Sequence, residues 1–144
     1  MAVMRNSPFL RVLSEDGLKL LAFGSEAVNL KPRQTLFEAG DPAEGAVLVL
    51  GGQLRLIPET ASAESWVASV GHLVDELALV VPTSRRATAV AQATCELLVM
   101  PRSQMLRILE EYPDAAERLR TMLARRTASL IADVDALSGR FGRS

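Results

Sequence analysis

Between Ala27 and Met100 the chain never runs far without a turn residue. Short apolar segments at Ala27–Leu30, Thr35–Glu38, Ala46–Leu50, Gln53–Ile57 and Ser65–Val70 are cut apart by Pro32, Gly40-Asp-Pro42, Gly51-Gly52 and Pro58. Segments of this length are too short for stable helices and long enough for strands. Two more follow, Ala87–Ala91 and Glu96–Met100. Short strands at such even spacing predict a mainly β fold in which two sheets close on each other, a double-stranded β-helix or jelly roll.

Helical patterns flank this β part. Ser7–Leu13 reads as a short helical turn, and Ser14 as the cap of a helix through about Ala22, with Leu18, Leu20 and Leu21 packing inward and Gly24 near its end. After Pro101 a helix is expected from Ser103 to Glu111, with Met105, Leu106, Ile108 and Leu109 as its packed side. A chain of 144 residues with 49% hydrophobic content can bury one substantial core.

Net charge is −1, so no global field favours nucleic acid or an anionic membrane, and no apolar run is long enough to span a bilayer. The expectation is a soluble, cytoplasmic chain without a membrane partner. One cysteine, Cys95, excludes an internal disulfide, and a single His72 with no companion argues against a metal site. His72 reads as a turn residue and Cys95 as a small buried thiol. Trp66 alternates with Ala68 and Val70 in a strand, facing either the core or a contact surface. Ser84 and Thr88 have no histidine beside them in sequence, so no catalytic residues, and no enzyme, are expected.

Chemistry concentrates in Asp75-Glu-Leu-Ala-Leu-Val-Val-Pro-Thr-Ser-Arg-Arg-Ala-Thr-Ala-Val-Ala91. A turn of helix beginning near Asp75 points free N–H groups outward, and an arginine further along can close over the same spot with a planar, bidentate fork. Phosphate suits such a pair. Glu76 is then available to accept hydrogen bonds from hydroxyls on the group that carries the phosphate, as a carboxylate does from a ribose.

The segment resembles the phosphate-binding cassette of the cyclic-nucleotide-binding domain family, the sensor domain of CRP/FNR-like activators, whose usual form is Phe-Gly-Glu-Leu-Ala-Leu, a few residues, then Pro-Arg-x-Ala-Thr-Val. The resemblance extends upstream through the Gly40-Asp turn and the hairpin around Gly51-Gly52, and downstream through Cys95-Glu-Leu-Leu-Val-Met100 and Tyr112-Pro-Asp114. It implies one domain over residues 7–137, with a β-roll over about 27–100 and B and C helices over about 103–137; the terminal Ser138-Gly-Arg-Phe-Gly-Arg-Ser144 reads as a flexible tail. It also implies a cyclic nucleotide, cAMP or cGMP, as ligand, and no other cofactor. The residues it assigns to phosphate and ribose are Asp75, Glu76, Leu77, Ala78, Arg85, Arg86 and Ala87. Thr127, Leu130 and Ile131 on the last helix would face the base.

Two departures from the family pattern bear on the site. Asp75 stands where the family has glycine, and a carboxylate about 5 Å from a bound phosphate costs on the order of 3 kcal/mol at an effective dielectric of about 20. That cost vanishes if Asp75 turns to solvent or pairs with Arg86. The arginine register has two solutions: counting back from Cys95-Glu96 puts Arg85 on the phosphate, which is preferred, whereas counting from the Ala-Val pair favours Arg86. The alternative is that both arginines form a solvated loop pair bridged to Asp75 or Glu76.

From Asp114 to about Leu137, Ala116, Leu119, Leu123, Thr127, Leu130, Val134 and Leu137 recur at spacings of three and four, as a helix–helix seam requires. The first half is expected to pack on the chain's own β-roll. The second half is expected to pair with the same helix of a second copy, with Arg125 and Arg126 solvated beside the seam. The family's activators carry a helix-turn-helix after this helix; none follows here, so no direct DNA binding is expected and output passes through dimerisation or an unknown effector protein.

Two functions compete at this point. One is a stand-alone sensor of cyclic nucleotide; the other is a degenerate domain that binds no nucleotide and serves as an interaction or dimerisation module. A different anionic metabolite is a third, weaker possibility.

Overall fold

β4 (Gly45–Gly51) contains the apolar run Ala46-Val-Leu-Val-Leu50, and it is buried on both faces over Ala46–Val49. A strand of this kind needs cover on each side. In the computed structural model, which describes residues 7–60 and 63–126, a second sheet supplies one cover and helices the other. Val47 and Val49 face the space between the sheets, whereas Ala46 and Leu48 face the helices.

The other strands are β1 (Glu26–Leu30), β2 (Thr35–Phe37), β3 (Pro42–Ala43), β5 (Leu54–Pro58), β6 (Trp66–Ala68), β7 (Leu73–Val74), β8 (Thr83–Ser84), β9 (Ala87–Ala91) and β10 (Cys95–Pro101). One sheet has the order β1-β10-β4-β7, the second β2-β9-β5-β6, and β3 pairs with β8 in a small ribbon. Every pairing is antiparallel. This is the jelly roll expected from the spacing of the apolar segments. Leu30, Leu54, Leu56, Ala87, Ala89, Ala91, Cys95 and Leu97 fill the space between the sheets together with Val47 and Val49.

Helices α1 (Pro8–Arg11), α2 (Glu15–Phe23) and α3 (Arg102–Glu111), and a further helix, α4, over residues 113–126, build a second core on the outer face of β4 and β10. Phe9, Leu10, Leu13, Leu18, Leu21, Met105, Ile108, Ala115 and Leu119 pack there against Leu48 and Met100. Ser14 caps α2 as expected, its Oγ accepting from the Gly17 N–H at 3.2 Å. Leu20 and Leu106, both expected to pack inward, are about 40% exposed. Each sits at the edge of its helix's apolar stripe, where spacing alone does not fix the face.

The first half of the C-terminal seam packs on the chain's own core, with Leu119 buried and Leu123 half-buried against it. Thr127, Leu130, Val134 and Leu137, and the tail 138–144, lie outside the described residues. Among the described residues no helix is long and apolar enough to cross a membrane, and no three His, Cys, Asp or Glu residues gather as a metal site would need.

Candidate functional site

The cassette begins with a sharp change of direction after β7. Asp75 has φ 58° and ψ 48°, the left-handed conformation, and a 3-10 turn (Glu76–Leu79) follows it. Aspartate is one of the few side-chain-bearing residues that adopts this conformation without large cost, because its short polar group tolerates the crowding. The position where the family pattern has glycine is therefore one whose backbone favours glycine, independently of any ligand. Ala78 and Leu79 are buried beneath the turn, while Glu76 and Leu77 face outward.

Opposite the turn, β8 and β9 bring in the two arginines with opposite orientations. From Arg85 onward, side chains alternate between inside and outside: Arg85, Ala87, Ala89 and Ala91 are buried, and Arg86 is exposed. The backbone of Arg85 is clamped to the Gly40-Asp41 turn, its N–H donating to the Asp41 carbonyl (2.7 Å) and its carbonyl accepting from the Gly40 N–H (2.8 Å). Its side chain is 9% exposed. Nη1 donates to the Gly45 carbonyl at 2.9 Å and to Asp75 Oδ2 at 3.1 Å, and the guanidinium lies 4.3 Å from the centre of the Phe37 ring.

Arg85 is thus not a solvated loop residue, and Asp75 neither faces solvent nor pairs with Arg86. The strand alternation that buries Arg85 is the reason. Gly45 contributes through its missing side chain: a Cβ there would collide with the Met100 carbonyl, so only glycine lets β4 approach β10 at the point where its carbonyl meets Arg85.

Glu76 has partners too. Its carboxylate accepts from Ser7 Oγ at 3.4 Å and from Arg126 Nη1 at 3.3 Å. Arg126 also lies over Phe9, 5.0 Å from the ring centre. Arg126 was expected to stand solvated beside a seam; the structure turns it across to the cassette, leaving it 46% exposed. Glu76 therefore joins the cassette to α1 on one side and α4 on the other.

A concave pocket of about 360 Å³ opens over the cassette, lined by Leu73, Asp75, Glu76, Leu77, Ala78, Thr83, Ser84 and Arg86. Of the residues expected at the phosphate and ribose, Asp75, Glu76, Leu77, Ala78 and Arg86 share this space. Arg85 borders a different cavity, with Gly24, Glu26, Glu44 and Gly45, and Ala87 is buried between the sheets. Thr127, Leu130 and Ile131 are outside the described residues. A larger groove, about 680 Å³, runs along α4 between Asp114 and Arg126 and includes none of the cassette residues.

Sequence reading missed Arg102 at the start of α3. Its Nη1 donates to the carbonyls of Ala43 (3.0 Å), Ala78 (3.1 Å) and Val81 (3.3 Å), tying the end of the cassette turn to β3 and α3. A lone arginine after Pro101 gave no signal of this. Of the groups weighed for catalysis, Ser84 lines the cassette pocket, Thr88 Oγ1 accepts from the Ala39 N–H, and His72 Nδ1 accepts from the Ser69 N–H, closing the turn before β7.

Comparisons with known proteins agree with this architecture. The family model for the cyclic nucleotide-binding domain matches residues 27–112. The N-terminal domain of a transcriptional regulator from Streptomyces coelicolor superposes with a TM-score of 0.81 at 26% identity, covering 92% of this chain and 94% of that one. The cyclic AMP receptor protein of Thermus thermophilus is 29% identical over 139 residues, 94% of this chain and 64% of that protein. Lysophospholipase NTE1 of Chaetomium globosum is 28% identical over 120 residues, 81% of this chain but only 8% of that much longer enzyme. With the jelly roll, the cassette turn and the paired arginines in place, the match over residues 27–112 establishes that the chain belongs to the cyclic nucleotide-binding domain family.

Proposed function

We propose that the chain is a cytoplasmic, non-enzymatic regulatory module that takes a cyclic nucleotide, cAMP or cGMP, into the pocket over its cassette and passes the change to an effector protein or to a second copy. The observation that carries this reading is the pocket itself. Its volume, about 360 Å³, lies in the range of small-molecule sites, and two carboxylates, two hydroxyl side chains and a guanidinium border one space. The similarity to a cyclic AMP receptor protein over 94% of the chain supports the choice of ligand.

Glu76 would exchange its contacts to Ser7 and Arg126 for a ligand hydroxyl. Both contacts are long, 3.4 and 3.3 Å, and the ion pair to Arg126 is partly open to water, so that part of the exchange costs little. Because Arg126 belongs to α4, a ligand on Glu76 favours a different position of that helix, which is what a switch requires. Thr127, Leu130 and Ile131 are assigned to the base.

A second reading is favoured by one specific feature, the buried Asp75–Arg85 pair, which supplies from within the chain the anion that a phosphate-binding arginine would otherwise seek. On that reading the domain binds no nucleotide and acts as an interaction module. Calorimetric titration separates the two. The protein is stripped of carried-over ligand by unfolding and refolding, then titrated with cAMP and with cGMP. Saturable binding of either supports the sensor. No heat from folded protein up to millimolar nucleotide overturns it in favour of the interaction module.

A further inference from the structure

The geometry points to a second small-molecule site in the cavity that Arg85 borders with Glu26 and Glu44, and to a cationic amino acid as its occupant, with the ligand's carboxylate on Arg85 and its two cationic groups on the glutamates. This cavity shares no lining residue with the pocket over the cassette, and the inference stands whether or not that pocket takes a nucleotide.

Three parts of the fold meet there. Glu26 opens β1 beside Val99 of β10, Glu44 lies between β3 and β4 with its carbonyl held by the Arg102 N–H at 2.8 Å, and Arg85 enters from the step between β8 and β9. They border a space of about 420 Å³, enough for a ligand of amino-acid size. Pro42, Val99 and Pro101 add apolar wall against which a chain of methylenes can lie.

Arg85 is buried but only partly used. Its Nη1 serves the Gly45 carbonyl and Asp75 Oδ2, and its face is stacked on Phe37, whereas Nε and Nη2 bond to no described residue. Among the described residues no fully buried side-chain nitrogen lacks a hydrogen-bond partner, so Nε and Nη2 reach open space. The open space that Arg85 borders is this cavity. Nε–H and the neighbouring Nη2–H lie parallel along one edge of the guanidinium, and a carboxylate accepts from both at once. Asp75 occupies the other end of the group and does not compete for that edge.

The charges of the lining select the rest of the ligand. Glu26 and Glu44 are exposed, and neither side chain forms a hydrogen bond or ion pair with a described residue. Two carboxylates and one guanidinium call for two cations and one carboxylate, the groups of arginine or lysine as a free amino acid. A neutral amino acid leaves one glutamate unanswered. A polyamine answers both glutamates but sets its charge against the open edge of Arg85.

Titration of the 15N-labelled full chain with free L-arginine and with free L-lysine at constant ionic strength, read by backbone amide NMR, tests this. The expected result is a saturable shift at Gly24, Glu26 and Gly45, which line the cavity, with Leu77 and Ser84 of the cassette pocket unmoved. Agmatine, which is arginine without its carboxylate, and N-acetyl-L-arginine, which lacks the α-ammonium, should each bind about tenfold more weakly than arginine. The double variant Glu26→Gln/Glu44→Gln should also weaken arginine binding about tenfold, with the melting temperature of the parent, because both side chains are exposed and unpaired. No saturable shift with either amino acid up to tens of millimolar overturns the inference. So does a shift confined to Leu77 and Ser84, and so does agmatine binding as tightly as arginine, since Arg85 would then receive nothing.

Discussion

Asp75 Oδ2 and Arg85 Nη1 lie 3.1 Å apart with 11% and 9% of their side chains exposed, and this pair joins the start of the cassette turn to the start of β9. Removing one partner of a buried pair leaves the other charged and desolvated, at a cost of about 3 kcal/mol or more. Asp75→Asn keeps the shape and the tolerance for left-handed backbone but removes the charge, so it should lower unfolding free energy by roughly that amount. Asp75→Gly should recover up to about 1 kcal/mol of the loss through relief of the left-handed conformation. Urea denaturation of the two variants checks both the size and the order; equal stability of Asp75→Asn and the parent would show the pair to be unimportant.

Arg126 and Glu76 form the contrasting case. At 3.3 Å, with 46% and 33% of the side chains exposed, their ion pair should be worth less than about 1 kcal/mol and should weaken with salt. Stacking over Phe9 adds a similar small amount. Arg126→Ala is therefore expected to shift global stability little, yet to speed amide hydrogen exchange in α4 over residues 113–126, where the side chain anchors the helix to the cassette. Exchange in α4 that matches the parent would show that the contact does not hold the helix.

How much of this was legible in the sequence depends on the range of the interaction. β9 was read at its observed limits, and β4 within one residue at each end, because continuous or alternating apolar patterns are local signals. The two-residue strands Pro42–Ala43, Leu73–Val74 and Thr83–Ser84 were not seen, since two residues have no period and exist as strands only through their partners. At the site, the cassette stood out by its residue types. The partner of each charge did not. Arg85 is fixed by Gly45, Phe37 and the Gly40-Asp41 turn, all forty or more residues away, and the identity of its anion depends on the backbone conformation of Asp75.

Cys95 is fully buried at the start of β10, with Sγ 3.1 Å from the Gln53 carbonyl and 3.2 Å from that of Ala93. A thiol enclosed this way is shielded from reagents in the native state. Its modification by a thiol-specific dye should follow the opening of the β-roll and accelerate sharply with denaturant. Cys95→Ser should keep the fold, because its single O–H can donate to one of the same two carbonyls. Rapid labelling of the native protein would contradict the enclosure.

Arg102 is the position at which the cassette can be loosened without substituting a residue of the pocket lining. Its guanidinium answers the carbonyls of Ala43, Ala78 and Val81, two of them at the end of the cassette turn, and charge-assisted hydrogen bonds of this type are worth about 1.5–3 kcal/mol. Arg102→Ala should lower stability by about 2–3 kcal/mol, since the carbonyls lose their donor together and do not add fully. Arg102→Lys, which keeps the charge but replaces the Nη1 that makes all three bonds with a more strongly hydrated ammonium on a shorter reach, should recover only part of that loss. The loss should appear locally as well: amides of Ala78 and Val80, which close the turn onto the Asp75 and Leu77 carbonyls, should exchange faster than those of β4 in the same sample. If Arg102→Ala instead lowered protection equally in β4 and in the turn, the arginine would be supporting the whole roll rather than positioning the cassette.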